Sequence, residues 1–223
     1  MEARVVCLSR TLGAGGEEIG QQLAAKLGFR YLDEEIISAA AEEAHIDADA
    51  VAAAEHHPPL LRRLLDRLGG AATVLAAPPS HLGTGEPLTQ PGADLGTFAE
   101  APKELRALIR AAICDAASAG RAVIVAHAAS VALAGVAGVL RVLVTASPDV
   151  RAERLAGCRG ITADTARTAI ADSDRERRNY FRDFYKLREE LPTHYDLVVN
   201  TDALAPSLAV ALILAAAKGL PEG

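Results

Sequence analysis

The chain has 223 residues, of which 50% are hydrophobic and 4% aromatic, and its formal net charge is −6. This composition excludes an intrinsically disordered chain, and the negative charge argues against a general affinity for nucleic acid. Residues 151–188 nevertheless hold ten Lys or Arg against six Asp or Glu, a local charge of +4 that leaves −10 for the remainder. A basic segment inside an acidic protein favours a small anionic ligand over a long polyanion.

The cysteines and the apolar stretches indicate the cellular compartment of the protein. Cys7, Cys114 and Cys158 are far apart and form no CxxC pair, so neither a disulfide framework nor a zinc site is predicted. The apolar run near the N-terminus is too short for a signal peptide. The longest apolar stretch, 204–217, is shorter than the roughly 20 residues that span a bilayer. We therefore expect a cytoplasmic protein without a membrane partner.

Five short aliphatic runs predict β-strands, and helical patterns separate them. Several runs are continuously apolar, as strands buried on both faces are. Helices are predicted after the first strand up to Gly28, and again over 36–44 and 103–117. This alternation predicts an α/β fold with a parallel sheet covered on both faces. The five runs are Val5–Leu8, Phe29–Leu32, Ala122–Val125, Leu140–Val144 and Asp196–Val199.

The segment between residues 45 and 102 interrupts this alternation. Residues 69–102 are rich in Gly and Pro, which predicts an excursion or mobile loop rather than a second domain. Just before it, the segment Leu60–Leu68 is amphipathic, with leucines on one face and charges on the other. This predicted helix either packs on the core of its own chain or forms a homodimer contact.

A glycine-rich loop connects the first predicted strand directly to a helix. Gly13, Gly15 and Gly16 allow sharp turns that point N–H groups inward, and the helix N-terminus adds partial positive charge. The loop therefore predicts a phosphate site, although it lacks the lysine and hydroxyl of the GxxxxGK(S/T) pattern. Glu17 and Glu18 occupy the first helical turn instead. Their carboxylates either complement the helix dipole or repel a triphosphate unless Mg²⁺ lies between them.

Several segments, taken in order, resemble the cytidylate-kinase-like family, relatives of the bacterial cytidylate kinases within the P-loop kinases. These segments are Ser9–Gly16, Phe29–Ile37, Arg121–Val125, Leu140–Ala146, Asp149–Arg151, Asp174–Tyr180 and Tyr195–Thr201. The resemblance implies a P-loop kinase-type three-layer α/β/α fold, with a five-stranded parallel sheet in the order 2-3-1-4-5 and a small helical lid. It implies one domain over 1–223, with acceptor-side helices and the excursion over 45–102, and the lid with its following helix over 151–190.

The resemblance also implies a phosphotransferase that moves the γ-phosphate of ATP to a nucleoside monophosphate or a similar small acceptor. ATP would lie over the loop, with Mg²⁺ bridging its phosphates and Arg10 supplying the charge that lysine supplies elsewhere. The implied cofactor-binding residues are Gly13, Ala14, Gly15, Gly16, Glu17 and Glu18, and the catalytic arginines are Arg10, Arg151, Arg154 and Arg159. The implied acceptor-binding residues are Asp33, His127, Asp174 and Arg177, with Arg178 as the alternate of Arg177.

Helical spacing agrees with part of this assignment. Positions 170, 174, 177, 181 and 185 share one helical face, so Asp174 and Arg177 can point the same way. Arginine also binds phosphate through two parallel hydrogen bonds. The alternative interpretation is a solvated helix held by internal ion pairs.

Three departures from the family pattern leave the function open between two classes. Glu17 stands where the family commonly has an arginine, and Glu18 stands at the threonine position, where it either binds magnesium or prevents triphosphate binding. Ala126-His127-Ala128 replaces a Gly-Arg turn, and His127 either contacts the substrate or is a packed histidine. The chain is therefore either a phosphotransferase or a catalytically inactive nucleotide- or anion-binding protein that acts as a sensor or interaction module.

Overall fold

The computed structural model of the chain describes residues 3–33, 103–125 and 129–220, with only the backbone of 103–108. The predictions for the helix over 36–44, for the segment 45–102 with Leu60–Leu68, and for His127 lie outside the described residues. Elements are numbered below in chain order over the described ranges.

All five predicted strands are present and form one parallel sheet in the order β2-β3-β1-β4-β5. In the central strand, Val6 pairs with Val123 on one side and with Leu140 on the other. The predicted fold class and strand order are therefore confirmed. The strands are β1 Val5–Arg10, β2 Arg30–Asp33, β3 Ala122–Val125, β4 Val139–Thr145 and β5 Leu197–Asn200.

Helices cover both faces of this sheet. The described helices are α1 Gly16–Leu27, α2 Lys103–Ala119, α3 Ala129–Ala132, α4 Pro148–Arg159, α5 Ala163–Tyr185 and α6 Pro206–Lys218, with a 3-10 turn at Pro192–His194. Among them, none has both the length and the apolar character needed to cross a bilayer.

The core is divided between the two faces of the sheet because successive strand residues point in opposite directions. Val6 and Leu8 of β1 pack in the cluster that includes residues of α1 and α6. Val5 and Cys7 pack in the opposite cluster, with residues of α2 and α3. This two-sided burial explains why the strands read as continuous apolar runs.

Helix α1 lies unusually close to the sheet, and this places the loop that precedes it. A Cβ atom at Gly20 would lie 2.7 Å from a methyl carbon of Val125 and 3.1 Å from the ring of Tyr31. Only glycine permits that approach, so the start of α1 is held against the carboxyl ends of β2 and β3.

Helices α4 and α5 pack against each other beside the loop and occupy most of the predicted lid segment. Thr162 caps α5 by accepting a hydrogen bond from the N–H of Thr165 at 3.2 Å. Leu12 of the loop packs on the small apolar cluster between these helices, so loop and helix pair are in direct contact. The buried members of this cluster are Ala152, Leu155, Ala166 and Ile170.

Candidate phosphate-binding site

The loop between β1 and α1 has the geometry of an anion-binding turn. Gly13 and Gly15 have φ angles of 81° and 79°, in the left-handed region that glycine adopts without strain. At Gly13 a Cβ atom would also lie only 2.7 Å from the backbone oxygen of Arg151. Gly15 is the N-cap of α1 and offers no capping side chain, so the first helical turn can present its N–H groups to a ligand.

The side chain of Arg10 crosses the start of α1. With Gly15 as the second glycine of GxxxxGK(S/T), the lysine position falls on Gly16, the hydroxyl position on Glu17 and the first glycine on Arg10. This register lies one residue earlier than the one that places Glu18 at the threonine position. A Cβ atom at Gly16 would lie 2.6 Å from Cβ of Arg10 and 3.0 Å from its Cδ. Arg10 therefore fills the space in which a lysine side chain would begin. The positive charge of the loop comes from the last residue of β1 rather than from the helix.

The two glutamates of the first helical turn have different partners. Nη2 of Arg10 lies 2.9 Å from Oε1 of Glu17, and the side chains are 12% and 42% exposed. Glu18 is exposed and accepts a hydrogen bond from Gln22 at 3.0 Å. The described part of the chain contains no group of three or more His, Cys, Asp or Glu side chains that could hold a metal.

Arg151 and Asp174 bind each other. Nη1 and Nη2 of Arg151 donate to the two carboxylate oxygens of Asp174 at 2.9 and 2.7 Å, and the arginine side chain is only 4% exposed. Nη1 also lies 3.4 Å from the carbonyl oxygen of Leu12, while the buried Nε has no hydrogen-bond partner in the part of the chain that the structure describes. These two residues, implied as catalytic and acceptor-binding, thus join α4 to α5 and contact the loop.

Arg154 reaches the loop through a residue that the sequence analysis did not single out. It donates to the hydroxyl of Thr201 at 3.0 Å and to the carbonyl of Thr201 at 2.6 Å. That hydroxyl in turn donates to the carbonyl oxygen of Ala14, also at 3.0 Å. Thr201 therefore links α4, the end of β5 and the loop. Its only sequence signal was its place at the end of the segment Tyr195–Thr201.

Arg177 contacts the loop from inside the protein. Its side chain is 5% exposed, and its Nε and Nη2 donate to the carboxylate of Glu190 at 2.7 and 2.5 Å. Nη1 donates to the carbonyl oxygen of Arg10 at 3.0 Å, and the guanidinium lies 5.0 Å from the ring centre of Phe181. In this structure, Asp174 and Arg177 each form an ion pair with a residue outside α5, and Arg177 is buried rather than solvated.

Sequence reasoning also missed Glu190 and Tyr195. Burial acts to raise the pKa of Glu190, but the hydrogen bonds and charge of Arg177 outweigh it and hold that pKa below its ordinary value. Burial is the main cause that raises the pKa of Tyr195. At neutral pH the glutamate is therefore ionised and the tyrosine is neutral. A pair of glutamates after a basic stretch was the only hint in the sequence.

The other implied residues that the structure describes lie at the ends of β2 and α4 and on α5. Asp33 is the last residue of β2 and pairs in register with Val125 at the carboxyl end of β3. Arg159 is the last residue of α4, and both it and Arg178 of α5 are exposed. The structure thus joins Arg10, the loop, Arg151 and Arg177 through direct contacts. It places Asp33 at the end of β2 and Arg159 and Arg178 on the exposed surface of α4 and α5.

Solved structures resemble this fold at low sequence identity. An uncharacterized protein from Eubacterium ventriosum ATCC 27560 superposes with a TM-score of 0.63 at 13% identity, covering 97% of this chain and 99% of that one. Shikimate kinase from Bacteroides thetaiotaomicron gives 0.48 at 16% identity, with coverages of 95% and 97%. A gluconokinase from Sinorhizobium meliloti 1021 gives 0.42 at 16% identity, with coverages of 96% and 89%. The first of these supports the fold.

Sequence comparison gives the family. No curated protein matches the chain significantly. The model of the cytidylate kinase-like family matches residues 5–203, which include the strand-loop-helix segment, the α4–α5 pair and the end of β5. Because this match spans most of its length, the chain belongs to the cytidylate kinase-like family.

Proposed function

We propose that this protein is a phosphotransferase that moves the γ-phosphate of ATP to a small acceptor, with a nucleoside monophosphate as the expected class. Membership of a kinase-like family supports phosphoryl transfer in general. The observation that carries the proposal for this chain is the position of Arg10. Its side chain fills the space over Gly16 where the pattern requires a lysine, so a positive charge is retained at the loop.

The loop and its surroundings fit a phosphate chain. Phosphoryl transfer depends on positioning and on neutralising charge rather than on covalent chemistry by the protein. Backbone N–H groups of the loop and of the first turn of α1 would hold the phosphates, and Arg10 would neutralise them. Mg²⁺ would be held mainly by phosphate oxygens and water, with Glu18 as the proposed protein ligand.

The arginines and the acceptor residues have separate proposed roles. Arg154 and Arg159 would border the lid that closes over the phosphates. Asp33, His127 and Arg178 would lie on the acceptor side. The ion pairs of Arg151 with Asp174 and of Arg177 with Glu190 support a different role for those residues, in which they hold the loop in place.

A second candidate function is a catalytically inactive nucleotide- or anion-binding protein. The observation that favours it is the pairing of Arg10 with Glu17, which neutralises the charge that a phosphate would need. Calorimetric titration with ATP, with and without MgCl₂, followed by a screen of nucleoside monophosphates for ADP release, distinguishes the two. Binding without release by any acceptor would support the second candidate, and no binding of ATP in either condition would overturn the first.

We expect Arg10→Ala to abolish measurable ATP binding while leaving the protein folded. The Arg10–Glu17 pair is partly exposed, and such pairs contribute about 0–1 kcal/mol to the free energy of unfolding. Urea unfolding and ATP titration of the same sample test both parts. Arg167→Ala is the matched control, because Arg167 is exposed and lies on α5. Wild-type ATP affinity in Arg10→Ala would contradict the role given to Arg10.

We expect Glu17→Gln to bind ATP more tightly than wild type, by about 3- to 10-fold, because a phosphate no longer competes with a carboxylate for Arg10. Glu18→Gln is the control, since it removes the same charge from the same helical turn without touching Arg10. In titrations without MgCl₂, where the proposed magnesium ligand at Glu18 plays no part, its gain in affinity should be smaller. Weaker binding by Glu17→Gln would show instead that Glu17 assists the ligand.

A further inference from the structure

A connected set of buried and half-buried polar side chains lies at the carboxyl end of β1, next to Arg10. It consists of Ser9, Arg177, Glu190 and Tyr195, which we call the Arg177 network. Glu190 accepts two hydrogen bonds from Arg177 and one from the hydroxyl of Tyr195. That hydroxyl lies 3.4 Å from Nη2 of Arg177 and also hydrogen-bonds the side chain of Ser9. The proposed chemistry at the loop uses none of these four side chains directly.

The Arg177 network holds β1 at two adjacent points. Ser9 is fully buried, and its hydroxyl also lies 3.2 Å from that of Ser130 on α3. One residue further, Nη1 of Arg177 donates to the carbonyl oxygen of Arg10. The peptide between Ser9 and Arg10 is therefore fixed from both ends.

Strand geometry and this attachment together fix the direction of the Arg10 side chain. Neighbouring side chains of a strand point to opposite faces of the sheet. Holding Ser9 toward α3 on one face directs Arg10 to the other face, where α1 begins and where its side chain crosses Gly16. The ladder fixes Arg10 on the β4 side, where it pairs with Val144, and Arg177 holds its carbonyl oxygen.

We propose that Glu190 and Tyr195, acting through Arg177, are positioning residues that orient Arg10 over Gly16. The inference rests on the proposed function, since it takes Arg10 as the phosphate-binding charge of the loop. Arg177 is nearly inaccessible to solvent and needs a charged partner to be retained there. Glu190 supplies that charge, so the bond from Arg177 to the carbonyl of Arg10 depends on it.

The chain contains a control of the same chemistry for this network, in a more exposed pair. Arg141 and Asp196 form a second two-bond arginine–carboxylate pair, with distances of 3.1 and 2.6 Å. Arg141 lies near the amino end of β4, and Asp196 lies just before β5. The loop follows the carboxyl end of β1, so this pair lies toward the opposite ends of the parallel strands. Glu190→Gln and Asp196→Asn therefore make the same chemical change in two arginine pairs, of which only one reaches the loop.

The test compares the two variants in the full chain by two measurements under native conditions. One is amide hydrogen exchange of residues 11–16 without ligand, and the other is ATP affinity with Mg²⁺. In Glu190→Gln we expect exchange in 11–16 to rise about tenfold and ATP affinity to fall about tenfold, the size of effect that losing a charge-assisted hydrogen bond produces. Asp196→Asn should leave both values at the wild-type level.

Unchanged exchange in Glu190→Gln, or an equal rise in Asp196→Asn, would overturn the inference. If Glu190→Gln does not fold, Tyr195→Phe decides by the same criteria, because it removes one hydroxyl and keeps the ion pair. If wild-type protein fails to bind ATP, the proposed function is wrong, and hydrogen exchange alone decides the positioning role.

Discussion

Gly16→Lys alone should weaken ATP binding about tenfold or more, even though it restores the residue that the GxxxxGK pattern requires. The reason is steric, because the Cβ atom would lie 2.6 Å from Cβ of Arg10, and the neighbour is the rigid base of a side chain. Overpacking of this kind costs about 1–3 kcal/mol in the free energy of unfolding. Urea unfolding and calorimetric titration with ATP measure the two effects.

The double variant Arg10→Gly with Gly16→Lys should recover most of both losses. Removing the arginine clears the space, and the lysine then supplies the charge in the ordinary way. Its free energy of unfolding should come within about 1 kcal/mol of wild type, since glycine at the end of a strand costs about 0.5–1 kcal/mol. Arg10→Gly alone provides the comparison and should not bind ATP. If Gly16→Lys by itself binds ATP normally, the two side chains do not occupy the same space.

Asp174→Ala should lower the free energy of unfolding by about 3–5 kcal/mol, because it leaves the buried charge of Arg151 without a partner. Arg151 is 4% exposed, its Nε has no partner among the described residues, and its contact with the carbonyl oxygen of Leu12 supplies no full negative charge. The contact of Arg151 with Leu12 transmits the change to the loop. Denaturant unfolding followed by circular dichroism measures the effect.

Asp172→Ala is the control for this prediction, since Asp172 lies on the same helix and pairs with Arg175 at 2.6 Å on the exposed surface. Exposed pairs contribute about 0–1 kcal/mol, so this variant should remain close to wild type in stability. Equal losses in the two variants would contradict a special role for the Arg151–Asp174 pair. A stable Asp174→Ala variant that fails only in acceptor binding would restore the role implied by the family resemblance.

The fold was predictable to a large extent, and particular residues show why. The run Ala122–Val125 was recognised as a strand because burial on both faces requires four consecutive apolar residues. Gly28 marked the end of α1 because its left-handed conformation, φ 63°, is the usual way to end a helix. The strand order, by contrast, came from the family resemblance and not from any property of single strands.

The candidate site was predictable in its location but not in its contacts. Helical spacing correctly placed Asp174 and Arg177 on α5, yet it could not identify Arg151 and Glu190 as their partners. Those partners come from α4 and from the segment after α5, and only packing of distant segments brings them together. The same holds for Thr201, whose hydroxyl meets the loop across 187 positions of sequence.

Because the side chain of Arg10 lies over Gly16, the effect of a mutation at either position depends on the residue at the other. Under the proposed function, losing Arg10 first removes the charge, and changing Gly16 to lysine first creates a collision, so either path from arginine on the strand to lysine on the helix passes through a defective protein. A library that varies the loop one position at a time would therefore discard glycine at position 10 and lysine at position 16, although the two together are expected to bind ATP. A library for this loop has to vary positions 10 and 16 together. In related sequences, we expect the arginine at position 10 to be lost only where position 16 is a lysine.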